Sequence, residues 1–175
     1  GVTTIFVTHD QEEAMSISDS IILMKEGKLV QSDISQNLYE NPNCQFVADF
    51  LGNPPINNLH NCSITEKGII YKDIVIPLSN ISDLQKYKGL KVSLSIRPES
   101  FILNNNSNET NSINAIVNRI PLLGKEQIIY SKLSDIDLRI ILNNDTKFLF
   151  GEKLNLSLKQ NGVFIFKSEN GERLF

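Results

Sequence analysis

The chain changes character within residues 51–76, LGNPPINNLHNCSITEKGIIYKDIVI. Pro54 and Pro55 donate no backbone hydrogen bond, and each biases the residue before it toward extended geometry, so a helix cannot continue through them. After the prolines β-branched residues become frequent, in short runs separated by turn residues. This break predicts a boundary between two domains, with residues 53–57 as the linker.

Residues 58–175 consist largely of short β-rich runs. The ten runs are HNCSIT, GIIY, DIVIPL, LKVSLSIRP, SFILN, NAIVNRI, EQIIYSKL, DLRIIL, EKLNLSLK and GVFIFK. Such a series is typical of a small sheet or barrel, so we predict an all-β domain here. Within it, the polar segment 104–112, NNNSNETNS, is predicted to be a loop.

Before the prolines, strand and helix patterns alternate. Val2–Thr8, VTTIFVT, is a β-branched run of the length of a buried strand, and it would place His9 at the strand's carboxyl end. Asp10 predicts a helix over residues 11–19, because its side chain can cap the helix while Glu13 returns a hydrogen bond to the N–H of Asp10.

A hairpin and two short helices are predicted next. Ser20–Lys25 and the run KLVQ are separated by Glu26-Gly27, which is the spacing of a two-residue turn with glycine at positive φ. The first short helix holds Leu38-Tyr39, and Gly52 ends the second. The second helix has an apolar face, of which the first three members are predicted to be core: Phe46, Val47, Phe50 and Leu51.

Composition and charge exclude several classes of protein. With 175 residues, 41% of them hydrophobic, the chain can bury a core without metals or disulfides, and Cys44 and Cys62 fit a reducing cytoplasm. Residues 1–57 hold two lysines against eight acidic residues, a net charge of −6, whereas the remainder carries +3. A nucleic-acid binder needs a dense basic stripe, which this charge distribution does not provide. No run approaches the roughly 20 apolar residues of a membrane span, and no secretion leader is visible, so we expect neither.

Residues 7–31, VTHDQEEAMSISDSIILMKEGKLVQ, resemble the end of the nucleotide-binding domain of ABC transporter ATPases. The likeness continues through residues 38–57, which resemble the segment leading into the regulatory domain of sugar-importer ATPases. That domain is of the TOBE type, a small OB-like β-barrel. Further matches are Ile96-Arg97-Pro98-Glu99, Leu123-Gly124, Phe164-Ile165-Phe166 and Gly171-Glu172-Arg173-Leu174. The family usually has glycine at Asp33, proline at Ser35 and an acid at Asn37, so this chain departs from the pattern there.

This resemblance implies a mixed α/β remnant of a P-loop ATPase domain over residues 1–52, followed by an all-β OB-like (TOBE) barrel domain. It also implies that His9 is the catalytic switch histidine, which contacts the γ-phosphate of ATP and helps to hold the attacking water. Thr8 and Asp10 would support His9 by fixing the backbone on either side of it.

The resemblance also assigns Arg97, Pro98 and Glu99 to a motif of the regulatory domain. They would either contact a regulator or form a structural turn or ion pair inside the barrel. His60 belongs to no motif, and we expect a surface or strand histidine.

The sequence lacks the other motifs of such an ATPase. It contains no G-x-x-x-x-G-K-[ST] phosphate-binding loop, since Leu29 follows Gly27-Lys28 and Glu126 follows Gly124-Lys125. The family's signature and its aspartate–glutamate strand end are missing too. We therefore expect a C-terminal fragment of an importer ATPase that supplies the switch histidine and the regulatory and dimerisation domain. ATP and Mg would bind in the intact parent, whereas the fragment alone would hold no metal or cofactor tightly and would not hydrolyse ATP.

The resemblance implies several partners for the intact protein. It would work as a dimer on two transmembrane permease subunits, at the cytoplasmic face of the plasma membrane, and its TOBE domain could take a regulatory protein or a small effector. Carbohydrate is the expected cargo, and polyamine, iron, sulfate or phosphonate importers share the layout.

Two other classes of function remain as alternatives. One is a stand-alone sensor module whose barrel binds an oxyanion or another small effector. The other is an OB-like nucleic-acid binder, which needs aromatic residues along a basic groove. No nucleic acid is expected as a partner, because the aromatic residues cluster instead at Phe148, Phe150, Phe164 and Phe166.

Overall fold

The structure is a computed structural model that describes residues 2–78, 81–104, 112–120, 127–142 and 147–175. The described residues before Pro54 form short helices and a two-stranded hairpin. These elements are α1 (Gln11–Ile17), β1 (Ile21–Lys25), β2 (Lys28–Asp33), α2 (Ser35–Glu40) and α3 (Gln45–Phe50).

Strands dominate the described residues after Pro55. They are β3 (Asn57–Thr65), β4 (Gly68–Tyr71), β5 (Ile74–Ile76), β6 (Lys91–Ile96), β7 (Phe101–Leu103), β8 (Ile113–Arg119), β9 (Gln127–Leu133), β10 (Ile136–Leu142), β11 (Lys153–Leu158) and β12 (Val163–Lys167). Two 3-10 helices, Ile81–Tyr87 and Pro98–Ser100, lie on either side of β6. Each of the ten runs in the sequence overlaps one of these strands, so the prediction that this part of the chain is β-rich is confirmed.

The strands after Pro55 form two five-stranded antiparallel sheets. One has the order β10-β9-β8-β11-β7, and the other has the order β12-β6-β3-β4-β5. Alternate residues face inward, as in β8, where Ile113, Ala115 and Val117 are buried and the residues between them are exposed. One hydrophobic cluster joins inward-facing residues of both sheets, including Leu94 and Ile140. The architecture is consistent with an OB-like all-β domain.

Asn57 joins the two sheets at the open edge of β10. Its side chain is 1% exposed, and its Oδ1 accepts the Arg139 N–H at 2.7 Å while its Nδ2 donates to the Arg139 carbonyl at 2.8 Å. Nδ2 also donates to the Ile96 carbonyl of β6 at 3.1 Å. A side-chain amide has the donor and acceptor of a peptide group, so Asn57 takes the place of a neighbouring strand for one residue of β10.

The predicted hairpin is confirmed. β1 pairs with β2 in antiparallel register, and the turn residues Glu26 and Gly27 have φ angles of 51° and 76°. Positive φ at both central residues is the signature of a turn whose twist matches that of the flanking strands.

The departures from the family pattern fall at the start of α2. The Asp33 carboxylate accepts the Ile34 N–H at 2.8 Å and also a hydrogen bond from Asn37 Nδ2. Asp33 and Asn37, two of the three residues that depart from the pattern, therefore bond to each other across the first turn of the helix.

The prediction of a strand over Val2–Thr8 is wrong. Residues 2–7 lie in no strand or helix, and Val2, Ile5 and Val7 are 92%, 89% and 91% exposed. A strand is held by hydrogen bonds to a neighbour, and none of the described strands pairs with this segment. A β-branched pattern alone cannot supply those bonds.

The helices end differently from their predicted bounds. α1 stops at Ile17 rather than at Asp19, because Ser18 is already extended.

The buried residues of α3 are Val47 and Ala48, and Leu51 just beyond the helix is buried too. Phe50 is 40% exposed, so its assignment to the core is wrong. At 100° per residue, Phe50 falls on the same flank as Phe46, and their ring centroids are 6.0 Å apart.

Some predictions fall outside the described residues. They concern Leu123-Gly124 and residues 105–111 of the predicted loop. Among the described helices, none combines the length and the apolar character that crossing a bilayer would require.

Candidate functional site

His9 lies at a bend between residues 2–8, which belong to no strand or helix, and α1, and its side chain is exposed. The Asp10 carboxylate caps α1 by accepting the N–H groups of Glu12 and Glu13 at 2.9 and 3.0 Å, as predicted.

The hydrogen bond that Glu13 was predicted to return to the Asp10 N–H differs from the prediction. The Asp10 N–H donates to Thr8 Oγ1, and the Thr8 hydroxyl donates to the Glu13 carboxylate, each at 3.0 Å. Thr8 stands between the two because its hydroxyl can donate and accept at once. Thr8 and Asp10 thus fix the backbone on both sides of His9.

The first turn of α1 is attached to the segment that follows α3. The Gly52 N–H donates to Gln11 Oε1 at 2.7 Å, and Asn53 Nδ2 donates to Glu12 Oε1 at 2.6 Å. These contacts join positions 41 residues apart in the sequence. No residue of α1 is buried, so polar contacts of this kind carry much of its attachment.

Arg97 reaches the same segment from the sheet domain. Its side chain is 1% exposed, and Nη1 donates to the carbonyl of Ala48 at 3.0 Å and to that of Leu51. Nη2 donates to the Tyr39 carbonyl at 3.1 Å. These carbonyls lie at the C-terminal ends of α2 and α3, where backbone oxygens lack partners within the helix and carry partial negative charge. The guanidinium therefore caps two helices at once.

Aromatic rings cover the guanidinium. Arg97 Cζ lies 3.9 Å from the centroid of the Tyr39 ring and 5.8 Å from that of Phe164. The Tyr39 hydroxyl donates to Glu99 Oε1 at 2.6 Å. Burial is the main cause that raises the pKa of Tyr39, and the hydrogen bond to Glu99 raises it further. Burial lowers the pKa of Arg97. Tyr39 thus links the arginine to the glutamate of the same motif.

The structure shows the local surroundings of each residue of this motif. Pro98 begins the 3-10 turn Pro98–Ser100, as the turn hypothesis expects. None of the salt bridges among the described residues involves Arg97. Arg97 is 1% exposed and Glu99 is partly exposed, and a contact of this motif with a regulator stays a prediction.

Two glycines make room for Arg97. A Cβ at Gly52 would lie 3.0 Å from Arg97 Nη1 and 3.2 Å from the Tyr39 ring. A Cβ at Gly162 would overlap Ser100 Oγ and lie 3.0 Å from Arg97 Cβ. Sequence reasoning identified Gly52 only as a helix stop and missed Gly162 and the role of Tyr39. The available signal for Tyr39 was its position in the Leu38-Tyr39 pair, which belongs to the resemblance described above.

An open cleft of about 970 Å³ lies beside Arg97, with Tyr39, Glu99, Lys159 and Arg173 among its lining residues. Lys159 Nζ donates to the Glu99 carbonyl at 2.8 Å, and Arg173 Nη1 donates to the Pro42 carbonyl at 3.2 Å. Charges of both signs line the cleft, and these cations already bond to backbone oxygens.

His60 lies on β3, with its side chain exposed and Nδ1 3.0 Å from Ser93 Oγ, so the prediction of a strand histidine at the surface is confirmed. Within the described ranges, no three His, Cys, Asp or Glu side chains lie together in a way that could hold a metal ion.

Comparison with known proteins adds sequence similarity to this geometry. No protein-family model matches the chain. The chain is 32% identical over 173 residues to a putative ABC transporter ATP-binding protein of Mycoplasma genitalium, covering 99% of this chain and 28% of that protein. It is 29% identical over 175 residues to an sn-glycerol-3-phosphate import ATP-binding protein of Shigella sonnei, covering 98% and 48%. It is 32% identical over 180 residues to an oligosaccharides import ATP-binding protein of Bacillus subtilis, covering 98% and 49%. The chain thus spans about half the length, or less, of these curated relatives.

Proposed function

We infer from the homology of this chain to ABC transporter ATP-binding proteins, which extends over nearly its whole length, that it forms part of the ATP-hydrolysing subunit of a bacterial importer. Residues 1–52 would end the nucleotide-binding domain, 53–57 would be the linker, and 58–175 would be a TOBE-type regulatory domain. The observation that carries this proposal is the similarity itself, because it covers 98–99% of this chain in all three relatives.

His9 is the residue to which we assign the switch role. Phosphoryl transfer is catalysed largely by positioning and by electrostatic stabilisation, so a histidine held by a fixed backbone can contribute without covalent chemistry. The side chains of Thr8 and Asp10 fix that backbone, while the imidazole stays exposed to a γ-phosphate and an attacking water. ATP with magnesium supplies the transferred phosphoryl group when it is bound. The phosphate-binding loop and the metal ligands would come from other parts of the parent protein.

The names of two relatives support carbohydrate or a related compound as the cargo, since one imports sn-glycerol-3-phosphate and the other oligosaccharides. In this proposal the parent protein works as a dimer with two transmembrane permease subunits. It would lie at the cytoplasmic face of the membrane, and its TOBE domain would provide sites for a regulatory protein or a small effector.

The test of this function is ATP hydrolysis by the longer parent protein that contains this chain. His9→Ala should lower kcat by about 10²–10³-fold with little change in KM, because the lost contact acts mainly in the transition state. His60→Ala changes the other histidine of the chain and should leave kcat unchanged. The 175-residue chain alone should show no turnover above its His9→Ala variant. A parent protein whose His9→Ala variant hydrolyses ATP at the original rate would contradict the proposal.

A further inference from the structure

We propose that Arg97 and Gln11 are positioning residues, which connect the β-sheet domain to the His9 segment through a single peptide group. The consequence for catalysis rests on the role proposed for His9. The connection itself is a property of the folded chain and can be tested without ATP.

The peptide group between Leu51 and Gly52 is the centre of this connection. Its carbonyl accepts a hydrogen bond from Arg97 Nη1, and its N–H donates to Gln11 Oε1 at 2.7 Å. A peptide group is planar and rigid, so its two ends cannot move independently. A cation on the carbonyl also polarises the group and strengthens the N–H as a donor. Arg97 and Gln11 therefore act on one rigid unit from opposite ends.

The Arg97 end of this connection is held firmly. The guanidinium is 1% exposed and also bonds to the carbonyls of Ala48 and Tyr39, with the Tyr39 ring against it. The backbone N–H of Arg97 donates to the Gly162 carbonyl at 2.8 Å, in the turn before β12. These contacts therefore fix the position of the Leu51–Gly52 peptide relative to the sheet.

Apart from the hydrogen bond between Asn53 and Glu12, the Gln11 end is held by little else. α1 has no buried residue, and only Ala14 and Met15 pack, partly buried, against the cluster formed by β1, α2 and α3. Gln11 is the first residue of α1 and directly follows the cap Asp10, so His9 lies two residues away. A displacement of the Leu51–Gly52 peptide would therefore be passed to the His9 backbone rather than absorbed by packing. A ligand or partner that moves Arg97 would change the placement of His9 in this way.

The experiment is amide hydrogen exchange and NMR chemical-shift mapping of the 175-residue chain without nucleotide. Gln11→Ala should raise the exchange rate of the Gly52 amide at least tenfold and shift the His9 and Glu12 amide resonances. Gln11→Glu keeps an oxygen acceptor and should restore both. Gln36→Ala removes a glutamine near the start of α2, whose Nε2 donates to Glu40, and should change neither. An unchanged Gly52 exchange rate in Gln11→Ala would overturn the proposal.

A double-mutant cycle then tests whether Arg97 and Gln11 act together. Arg97→Lys should shift the His9 amide resonance, and in the Gln11→Ala background the same change should leave it unshifted. An equal shift in both backgrounds would show that the two residues act separately, against the proposal. If Arg97→Lys loses the protection of the Leu94 and Ile140 amides, it is unfolded, and Tyr39→Phe, which frees Glu99 beside the arginine, replaces it in the same cycle.

The parent protein gives a second readout. Gln11→Ala should lower kcat for ATP without changing KM, because binding is kept while His9 is misplaced. A wild-type kcat with perturbed His9 resonances would contradict the proposed function and leave the connection standing. Unperturbed resonances would contradict the connection, whatever the rate of hydrolysis.

Discussion

Arg97 carries its charge in a site where it is 1% exposed, and burial of a charge is costly unless the group is fully hydrogen-bonded. Carbonyl groups at the ends of α2 and α3 supply bonds for Nη1 and Nη2, so the arginine also satisfies backbone oxygens that would otherwise lack partners, whereas its buried Nε has no hydrogen-bond partner among the described residues. The sequence motif Arg97-Pro98-Glu99 could not show this, because Tyr39 and Leu51 lie 58 and 46 residues away in the chain. The sequence identified Arg97 as part of a motif but could not identify the groups to which it bonds.

Gly162→Ala tests how tightly the structure closes around Arg97. Gly162 has a φ of 79°, and its added Cβ would collide with Ser100 Oγ and with Arg97. We expect a loss of about 2–4 kcal/mol in the free energy of unfolding, from left-handed strain plus the clash, measured by urea denaturation. Gly151→Ala is the matched control, since Gly151 has a φ of 81° with nothing within 4 Å of the added Cβ. Its free energy of unfolding should fall by only about 1–2 kcal/mol, because it adds left-handed strain without a clash. Equal losses in the two variants would mean that the space around Arg97 can relax.

At the scale of secondary structure, elements held by local signals were predicted and one that needed a distant partner was not. The hairpin β1–β2 follows from its two turn residues, and the ten strands after Pro55 follow from alternation and turn spacing. Val2–Thr8 has an equally strong β-branched pattern, yet it forms no strand, because no described strand offers it hydrogen bonds. Phe50 was assigned to the core from its helical spacing, but a helix of six residues buries only the side that faces its neighbours.

Asn57→Leu tests the closure between the sheets. The substitution keeps the number and branching of the side-chain heavy atoms but removes the hydrogen bonds to the Arg139 N–H and carbonyl and to the Ile96 carbonyl. We expect a loss of about 2–4 kcal/mol in the free energy of unfolding, since part-buried backbone groups are left unpaired. The exchange rate of the Arg139 amide should rise as well. Asn118→Leu, on the exposed part of β8, is the control and should change neither quantity appreciably. Retained protection of the Arg139 amide in Asn57→Leu would show that the edge of β10 is closed by other means.

At the scale of the whole molecule, exposed apolar side chains are concentrated before the prolines. Besides Val2, Ile5 and Val7, they include Ile22, Met24 and Leu29 on one face of the hairpin. Monomeric proteins seldom expose so many apolar residues close together in sequence without a partner. The division into residues 1–52, 53–57 and 58–175 remains a proposal, although the hydrogen bond from Arg97 to the Leu51 carbonyl shows that the first and last parts are in contact.

We predict that the 175-residue chain self-associates through residues 2–8, with strands exchanged between copies. Ile5→Asp should shift the mass measured by light scattering toward the monomer, because it places a charge in the paired strand. Phe150→Asp is the matched control, since Phe150 is 80% exposed in the turn before β11 and should not affect association. A monomer at high concentration in the unchanged chain would contradict this prediction.

The sequence by itself determined the break at Pro54-Pro55, the hairpin, the cap at Asp10 and the series of strands after residue 57. Each depends on residues within a few positions of one another, so backbone preference and hydrophobic periodicity suffice. Only the tertiary structure decided that Arg97 caps two helices, that Asn57 closes the edge of β10 and that Gln11 bonds to Gly52. The physical reason is that a buried polar group must find a partner wherever the fold brings one, and those partners lie 41–82 residues away along the chain.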